Sequence, residues 1–183
     1  MGLNKDTLEL YIHIPFCIKK CDYCDFLSGP VSRAGQEAYV YALLREIKEA
    51  ASREKRPVST LFIGGGTPSV LSVDLMELLL RELSEQFRFL PAAECTIEAN
   101  HGTLTEEKLV LYRKYGLNRI SIGLQSPVDQ ELKMLGRIHD YREFLESYEL
   151  ARHVGFDNIN VDLMFAIPGQ SYEGWVRNLG TVA

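Results

Sequence analysis

The chain has 183 residues, 46% hydrophobic and 25% charged, which is enough apolar material for one core but short for two ordinary domains. Its formal net charge of −5 comes from acidic and basic residues that are interspersed, which excludes the basic patch of a nucleic-acid binder. No apolar run reaches the ~18–20 residues of a membrane span, and the polar Met1–Thr7 lacks the apolar segment of a signal peptide, so an integral membrane protein is excluded and a cytoplasmic location is expected.

β-like and helical runs alternate along the chain. A first strand is predicted at Leu8–Ile14, followed by a loop carrying Cys17, Cys21 and Cys24, then a helix over Arg33–Glu54. A strand at Thr60–Gly64 runs into Gly64-Gly65-Gly66, and Ser72 stands as N-cap to a helix over Val73–Phe87. Cys95–Ala99 reads as the third strand, and Thr105 caps a helix over Glu106–Lys114 that Gly116 closes. The fourth strand, Arg119–Gly123, precedes a helix over Pro127–Leu135, with Ser126 as N-cap and Gly136 at its end. Asp140 and Glu143 form a capping box for Tyr141–Val154, which Gly155 ends before a fifth strand at Ile159–Leu163. A sixth helix begins after Ser171.

Strict βα alternation implies a parallel sheet with helices outside it. Strands buried on both faces would be apolar throughout, yet here one face of nearly every strand is polar. Tyr11 and His13, then Thr96, Glu98 and Asn100, then Ser121, Gly123 and Gln125, and then Asn158, Asn160 and Asp162 each alternate with apolar neighbours. Alternate side chains project to one face, so the polar sets line a shared interior while the apolar sets meet the helices. Polar interiors are costly without partners. A barrel-like sheet around a polar ligand fits best, with the chemistry at the C-terminal ends of the strands, where His13, Gly64–Thr67, Glu98, Gln125 and Asp162 fall.

Cys17, Cys21 and Cys24 have C-x3-C-x2-C spacing directly after the first strand. Thiols of a cytoplasmic protein stay reduced, so such a cluster reads as metal-binding or catalytic rather than as disulfides. A four-iron cluster held by three cysteines leaves one iron open to a ligand. Structural zinc is the alternative, with His13 or Cys95 as fourth ligand, although Cys95 is expected to point outward beside Ile97. The triple glycine lacks the Gly-Lys-Ser/Thr of a P-loop. It is either a plain turn or a place where a ligand meets the backbone. Glu98, Gln125 and Asp162 either satisfy neighbouring groups or face a ligand with hydroxyls and an ammonium. Arg137 is either a surface ion-pair partner or a fork for a carboxylate. His139 is expected to be solvated and His153 to suit a helix C-terminus.

The run Tyr11-Ile12-His13-Ile14-Pro15-Phe16-Cys17 with Cys21, Tyr23 and Cys24 resembles the radical S-adenosylmethionine enzymes, and among them the oxygen-independent coproporphyrinogen III oxidase-like group. Further matching segments follow in order: Gly64-Gly65-Gly66-Thr67-Pro68, Glu98-Ala99-Asn100, Gly116–Ser121, Gly123–Ser126, Leu135–His139 and Asn160–Met164. The resemblance implies an α/β fold, a partial (β/α) barrel of about five parallel strands with outer helices. Residues 1–183 would then be an incomplete core domain that lacks the C-terminal domain. It implies a 4Fe-4S cluster on Cys17, Cys21 and Cys24, with S-adenosyl-L-methionine chelated at the open iron and cleaved by one electron from flavodoxin or ferredoxin. Tyr11, Gly65, Gly66, Thr67, Glu98, Gln125, Arg137 and Asp162 match its nucleotide-contacting positions, and Tyr23 a position beside the cluster. His101 stands where the family usually has proline, and Ala166 replaces a customary glycine.

Two departures separate the chain from the oxidases. Phe26 occupies the place of their further cysteine, and only sixteen residues precede Cys17. Both features resemble the haem-chaperone branch, which implies haem as a further ligand and haem-accepting respiratory proteins as partners. The oxidase activity, decarboxylation in porphyrin biosynthesis, is the alternative, and a non-catalytic metal-binding fragment is a third. An open edge at the fifth strand is expected to pair with a second copy, as a homodimer, or to aggregate.

Overall fold

The computed structural model describes residues 6–183, so most of the polar N-terminal segment lies outside the described residues. Five strands, β1 (Leu8–Ile14), β2 (Val58–Gly65), β3 (Phe89–Ala99), β4 (Arg119–Gln125) and β5 (Asn158–Leu163), form one parallel sheet in the order β1-β2-β3-β4-β5. Between and after them run α1 (Arg33–Arg53), α2 (Val73–Gln86), α3 (Glu106–Lys114), the short α4 (Asp129–Met134), α5 (Tyr141–His153) and α6 (Tyr172–Val182), with a single 3₁₀ turn at Pro68–Val70. Each crossover to the next parallel strand is expected to be right-handed. With sequential strand order this places the connecting helices on one side of the sheet, the plan of a partial (β/α) barrel rather than a doubly wound sheet.

The two faces of the sheet divide as the alternation requires. Ile12, Ile14, Ile63, Ile97, Ile120 and Ile122 are buried in one core with Leu75, Leu79, Leu83, Leu109 and Phe156. Burying an aliphatic side chain of this size contributes roughly 1.5–3 kcal/mol. Cys95 belongs to this core, and burial raises its thiol pKa. The opposite face carries a polar ladder. Asn160 Nδ2 donates to Ser121 Oγ at 2.9 Å and to Asp162 Oδ1 at 2.7 Å, and Ser121 Oγ donates to Asp162 Oδ2 at 3.3 Å.

Most helix ends follow the sequence signals. Thr105 accepts from the Lys108 amide, Asp140 and Glu143 close a capping box, and Gly116, Gly136 and Gly155 all have positive φ. Two caps differ. Ser72 precedes α2 in extended backbone but makes no capping bond, because Arg33 Nη1 donates to its hydroxyl. Ser126 is not the N-cap of α4, which Val128 precedes; its hydroxyl instead accepts from the Val128 amide and donates to Glu131. β3 begins at Phe89, six residues before the expected start at Cys95. Pro91 interrupts the period-2 pattern there, and the pairing shifts register, Val58 opposite Phe89 and Thr60 opposite Glu94.

Glu131 Oε2 also accepts from Gln170 Nε2 at 3.0 Å and from Asn178 Nδ2 at 2.8 Å, which ties α6 and its preceding loop to α4. Asn178 is the buried residue of α6, while Val176 and Leu179 are exposed. This carboxylate is thus one anchor of the helix, beside the packing of Val182 on the core and of Trp175 against Phe165. Glu131→Ala is expected to lower stability by ~1–3 kcal/mol, the cost of leaving buried donors unpaired. Hydrogen exchange should show the loss in the α6 amides ahead of the sheet amides.

Candidate cofactor site

The loop after β1 is cinched at its base. Phe16 bridges to Gly29, Cys17 N donates to Gly29 O at 3.1 Å and Gly29 N to Pro15 O at 3.1 Å. The cysteines thus lie in a closed loop whose far side docks on the end of α4. The Asp22 amide donates to Leu135 O, Lys19 Nζ donates to Gly136 O at 3.2 Å, and a Cβ on Gly136 would lie 2.6 Å from the Asp22 carboxylate. The motif Leu135–His139 is the seat of the cysteine loop, a role its sequence did not disclose.

The triple glycine supports the other side of the loop. Gly66 N donates to Ile14 O at 2.9 Å and Thr67 N to Phe16 O at 2.7 Å. A Cβ on Gly66 would stand 2.7 Å from Phe16 O and 3.0 Å from Cys17 Sγ, so any larger residue would push the first cysteine out of place. Gly65 has φ 120°, a backbone that favours glycine, and its amide donates to Glu98 at 3.0 Å. The turn is therefore not a plain connection.

Cys17, Cys21, Cys24, Tyr23, Gly65, Gly66, Thr67, Glu98, Gln125, Arg137 and Asp162 together line a cavity of about 370 Å³ at the C-terminal ends of β2 to β5. Asn100, Ser121, Phe26 and Met164 complete much of its wall. Tyr11 is the exception among the expected contacts. It is exposed and outside the cavity wall, and its hydroxyl lies 3.0 Å from His13 Nδ1. Gln125 holds φ 74° beside the register shift between β4 and β5, a strained conformation for a non-glycine residue that aims its side chain at the cavity.

The electrostatics suit a charged, polar guest. Burial raises the Glu98 carboxyl pKa, opposed by the Gly65 amide and helped by Asp162. Tyr23 is pushed up to about 12, first by burial, with the Arg137 charge opposing and Cys21 adding to the rise. Arg137 Nη2 donates to Asn100 Oδ1 at 3.2 Å and to Gly123 O, and Nη1 lies 3.8 Å from Cys21 Sγ. Its Nε is buried without a partner, and it has no carboxylate partner among the described residues. Of the two readings of Arg137, the surface ion pair is not seen among the described residues, and an anionic group in the cavity would complete the guanidinium.

These features fit a cluster and an amino-acid-bearing nucleotide. Three thiols rim the cavity, a glycine cradle leaves backbone open, and an unsatisfied cationic donor is joined by two carboxylates. Zinc fits less well. His13, the nearer fourth ligand, lies against Tyr11 and Gly65 and does not itself line the cavity.

His139 is half-buried rather than solvated, and packs edge-on against His101 at 5.0 Å between ring centroids. His101 is fully buried, with neither ring nitrogen bonded, and its pKa is lowered to about 3, chiefly by burial and then by Arg137 and His139. An unfolded histidine titrates near ~6.5, so the unfolded state binds more protons between the two values and stability falls as pH drops through that window. Cluster-free protein is expected to be roughly 2–3 kcal/mol less stable at pH 4.5 than at pH 7 on this account. His101→Phe should flatten that slope in urea unfolding.

The family model described as the radical SAM superfamily matches residues 11–180, and the chain belongs to that superfamily. It is 44% identical over 168 residues to the heme chaperone HemW of Escherichia coli strain K12, covering 91% of this chain and 44% of that protein. The oxygen-independent coproporphyrinogen-III oxidase-like protein HemZ of Bacillus subtilis strain 168 is 37% identical, covering 96% of this chain and 36% of that protein. Among solved structures, coproporphyrinogen III oxidase (HemN) from Escherichia coli superposes with a TM-score of 0.89 at 32% identity, covering 97% of this chain and 41% of that one. The chain therefore spans less than half the length of each of these three relatives. Among the described residues no helix is long and apolar enough to cross a membrane.

Proposed function

We propose that this chain is the core domain of a haem chaperone that holds a 4Fe-4S cluster on Cys17, Cys21 and Cys24 and S-adenosyl-L-methionine in the adjoining cavity. The observation that carries the reading is the convergence of the three thiols with Glu98, Gln125, Arg137 and Asp162 on one cavity wall. Arg137 would take the ligand's carboxylate, Glu98 and Asp162 its ammonium or hydroxyls, and Gly65, Gly66 and Thr67 its amino-acid part. Tyr23 would flank the cluster. When bound, the cluster and S-adenosylmethionine supply one-electron reductive chemistry, with flavodoxin or ferredoxin as donor; the chain's residues bind, orient and shield.

Identity to the heme chaperones supports the haem-handling reading, with haem-accepting respiratory proteins as partners, and so does Phe26 two residues beyond the third cysteine. Phe26 is 71% exposed at the cavity rim, an apolar side chain where a thiol would otherwise stand. The structural likeness to HemN favours the oxidase as a second reading. The test is anaerobic reconstitution followed by an iron count, a methionine-release assay and separate mixing with haem and with coproporphyrinogen III. Cluster uptake with haem binding and no conversion of coproporphyrinogen III is expected. Conversion would establish the second reading, and a chain that takes up no iron would sink both.

A further inference from the structure

Asn100, at the end of β3, lies between the two polar side chains that approach the cysteine sulfurs. Its Nδ2 donates to Thr67 Oγ1 at 2.9 Å, and its Oδ1 accepts from Arg137 Nη2 at 3.2 Å. That orientation of the amide is forced. A guanidinium has donors only, so the atom facing Arg137 must be the oxygen, and the nitrogen must then face Thr67. With the Thr67 oxygen already accepting from Asn100, its hydroxyl proton is directed at Cys17 Sγ, 3.7 Å away. On the other side Arg137 Nη1 points at Cys21 Sγ from 3.8 Å. One amide holds two donors, each against a different cysteine.

Asn100 is itself fixed from behind. Its carbonyl accepts from Thr103 Oγ1 at 2.5 Å, its amide donates to Ser69 Oγ at 3.4 Å, and the two hydroxyls are 2.5 Å apart. Lys108 Nζ then donates to Ser69 O at 2.6 Å and to Thr103 O at 3.0 Å. The bracing runs from α3 through the 3₁₀ turn to the cysteine loop without a gap.

We propose that Asn100 is a positioning residue that aims the Thr67 hydroxyl and the Arg137 guanidinium at the sulfurs of Cys17 and Cys21, and so raises the reduction potential of the cluster they hold. The inference rests on the cluster-binding reading above. Reduction adds negative charge that spreads onto the sulfurs, and donors aimed at them favour the reduced state. Losing the donors should therefore lower the potential.

The experiment is a redox titration of anaerobically reconstituted protein, followed by electron paramagnetic resonance, on Thr67→Val, Asn100→Asp and the double variant. Asn100→Asp keeps an acceptor for Arg137 but draws the Thr67 proton to a carboxylate and away from Cys17. Each single variant is expected to retain its iron and shift the midpoint potential downward. The shift from Asn100→Asp should be smaller in the Thr67→Val background, because part of it acts through that hydroxyl, whereas a bare charge effect would add in full. Thr67→Ser, which keeps the donor, should restore the wild-type potential. Unchanged potentials in both single variants, or fully additive shifts, would overturn the inference while leaving cluster binding intact. A wild-type chain without a cluster would remove the reading beneath it as well.

Discussion

Alanine at Cys17, Cys21 or Cys24 is expected to abolish iron retention after anaerobic reconstitution, whereas Cys95→Ala should leave about four irons per chain and the brown charge-transfer absorption of the cluster. The contrast follows from position. The three thiols rim one cavity in a loop held by the Phe16–Gly29 bridge and by the carbonyls of Leu135 and Gly136, while Cys95 is packed in the core on the opposite face of the sheet. If the three cysteines are the ligands, as proposed, loss of one would leave two thiols to hold the cluster. The loop itself is tied by backbone bonds that do not involve the thiols, so the variants should fold and fail only at iron. Full iron content in any of the three, or loss of iron in Cys95→Ala, would refute the ligand set.

Much of this site was legible because strands have period 2. Glu98, Gln125 and Asp162 sit at late positions of successive strands, and that alone placed them on one face near one another. Tyr11 shows where the rule weakens. It shares the polar pattern of β1, but its position comes before the C-terminal end of the strand, and its ring packs beside His13 and Phe62 without lining the cavity. Asn100 was read as a member of the polar face and of the Glu98-Ala99-Asn100 segment, with no contact of its own assigned. Its role depends on contacts with Thr67 and Arg137, 33 and 37 residues away in sequence, and no local pattern encodes such a meeting. The seat of the cysteine loop on Gly136 was hidden for a related reason. A glycine with φ 70° after a helix already has a sufficient local explanation, which masks the close approach of Asp22. Ser126 was misplaced because a serine before a helical run matches the N-cap pattern, yet Glu131 competes for its hydroxyl. The identity of β3 survived an error of six residues at its start, since pairing with β2 tolerates the bulge that Pro91 imposes.

Glu98→Gln and Asp162→Asn are each expected to weaken S-adenosylmethionine binding to the reconstituted protein by about 10- to 100-fold, or ~1.5–3 kcal/mol, the worth of a hydrogen bond to a charged group. Both changes keep shape and remove charge, so the cluster and the fold should persist. The expected loss follows from what the two carboxylates share. They face one cavity, and their mutual repulsion contributes, after burial, to the raised pKa of Glu98. A ligand carrying an ammonium and a sulfonium relieves that repulsion, and in doing so favours the ionised form of Glu98. Binding should therefore weaken as pH falls through the raised Glu98 pKa, where the carboxylate gains a proton that the bound complex disfavours. In Glu98→Gln this part of the pH dependence should vanish, while affinity at neutral pH stays low. Calorimetric titrations of both variants at neutral and acidic pH would decide the matter. Wild-type affinity in both variants would show that the carboxylates serve only the sheet, Glu98 by holding the Gly65 amide and Asp162 by ending the ladder with Ser121 and Asn160.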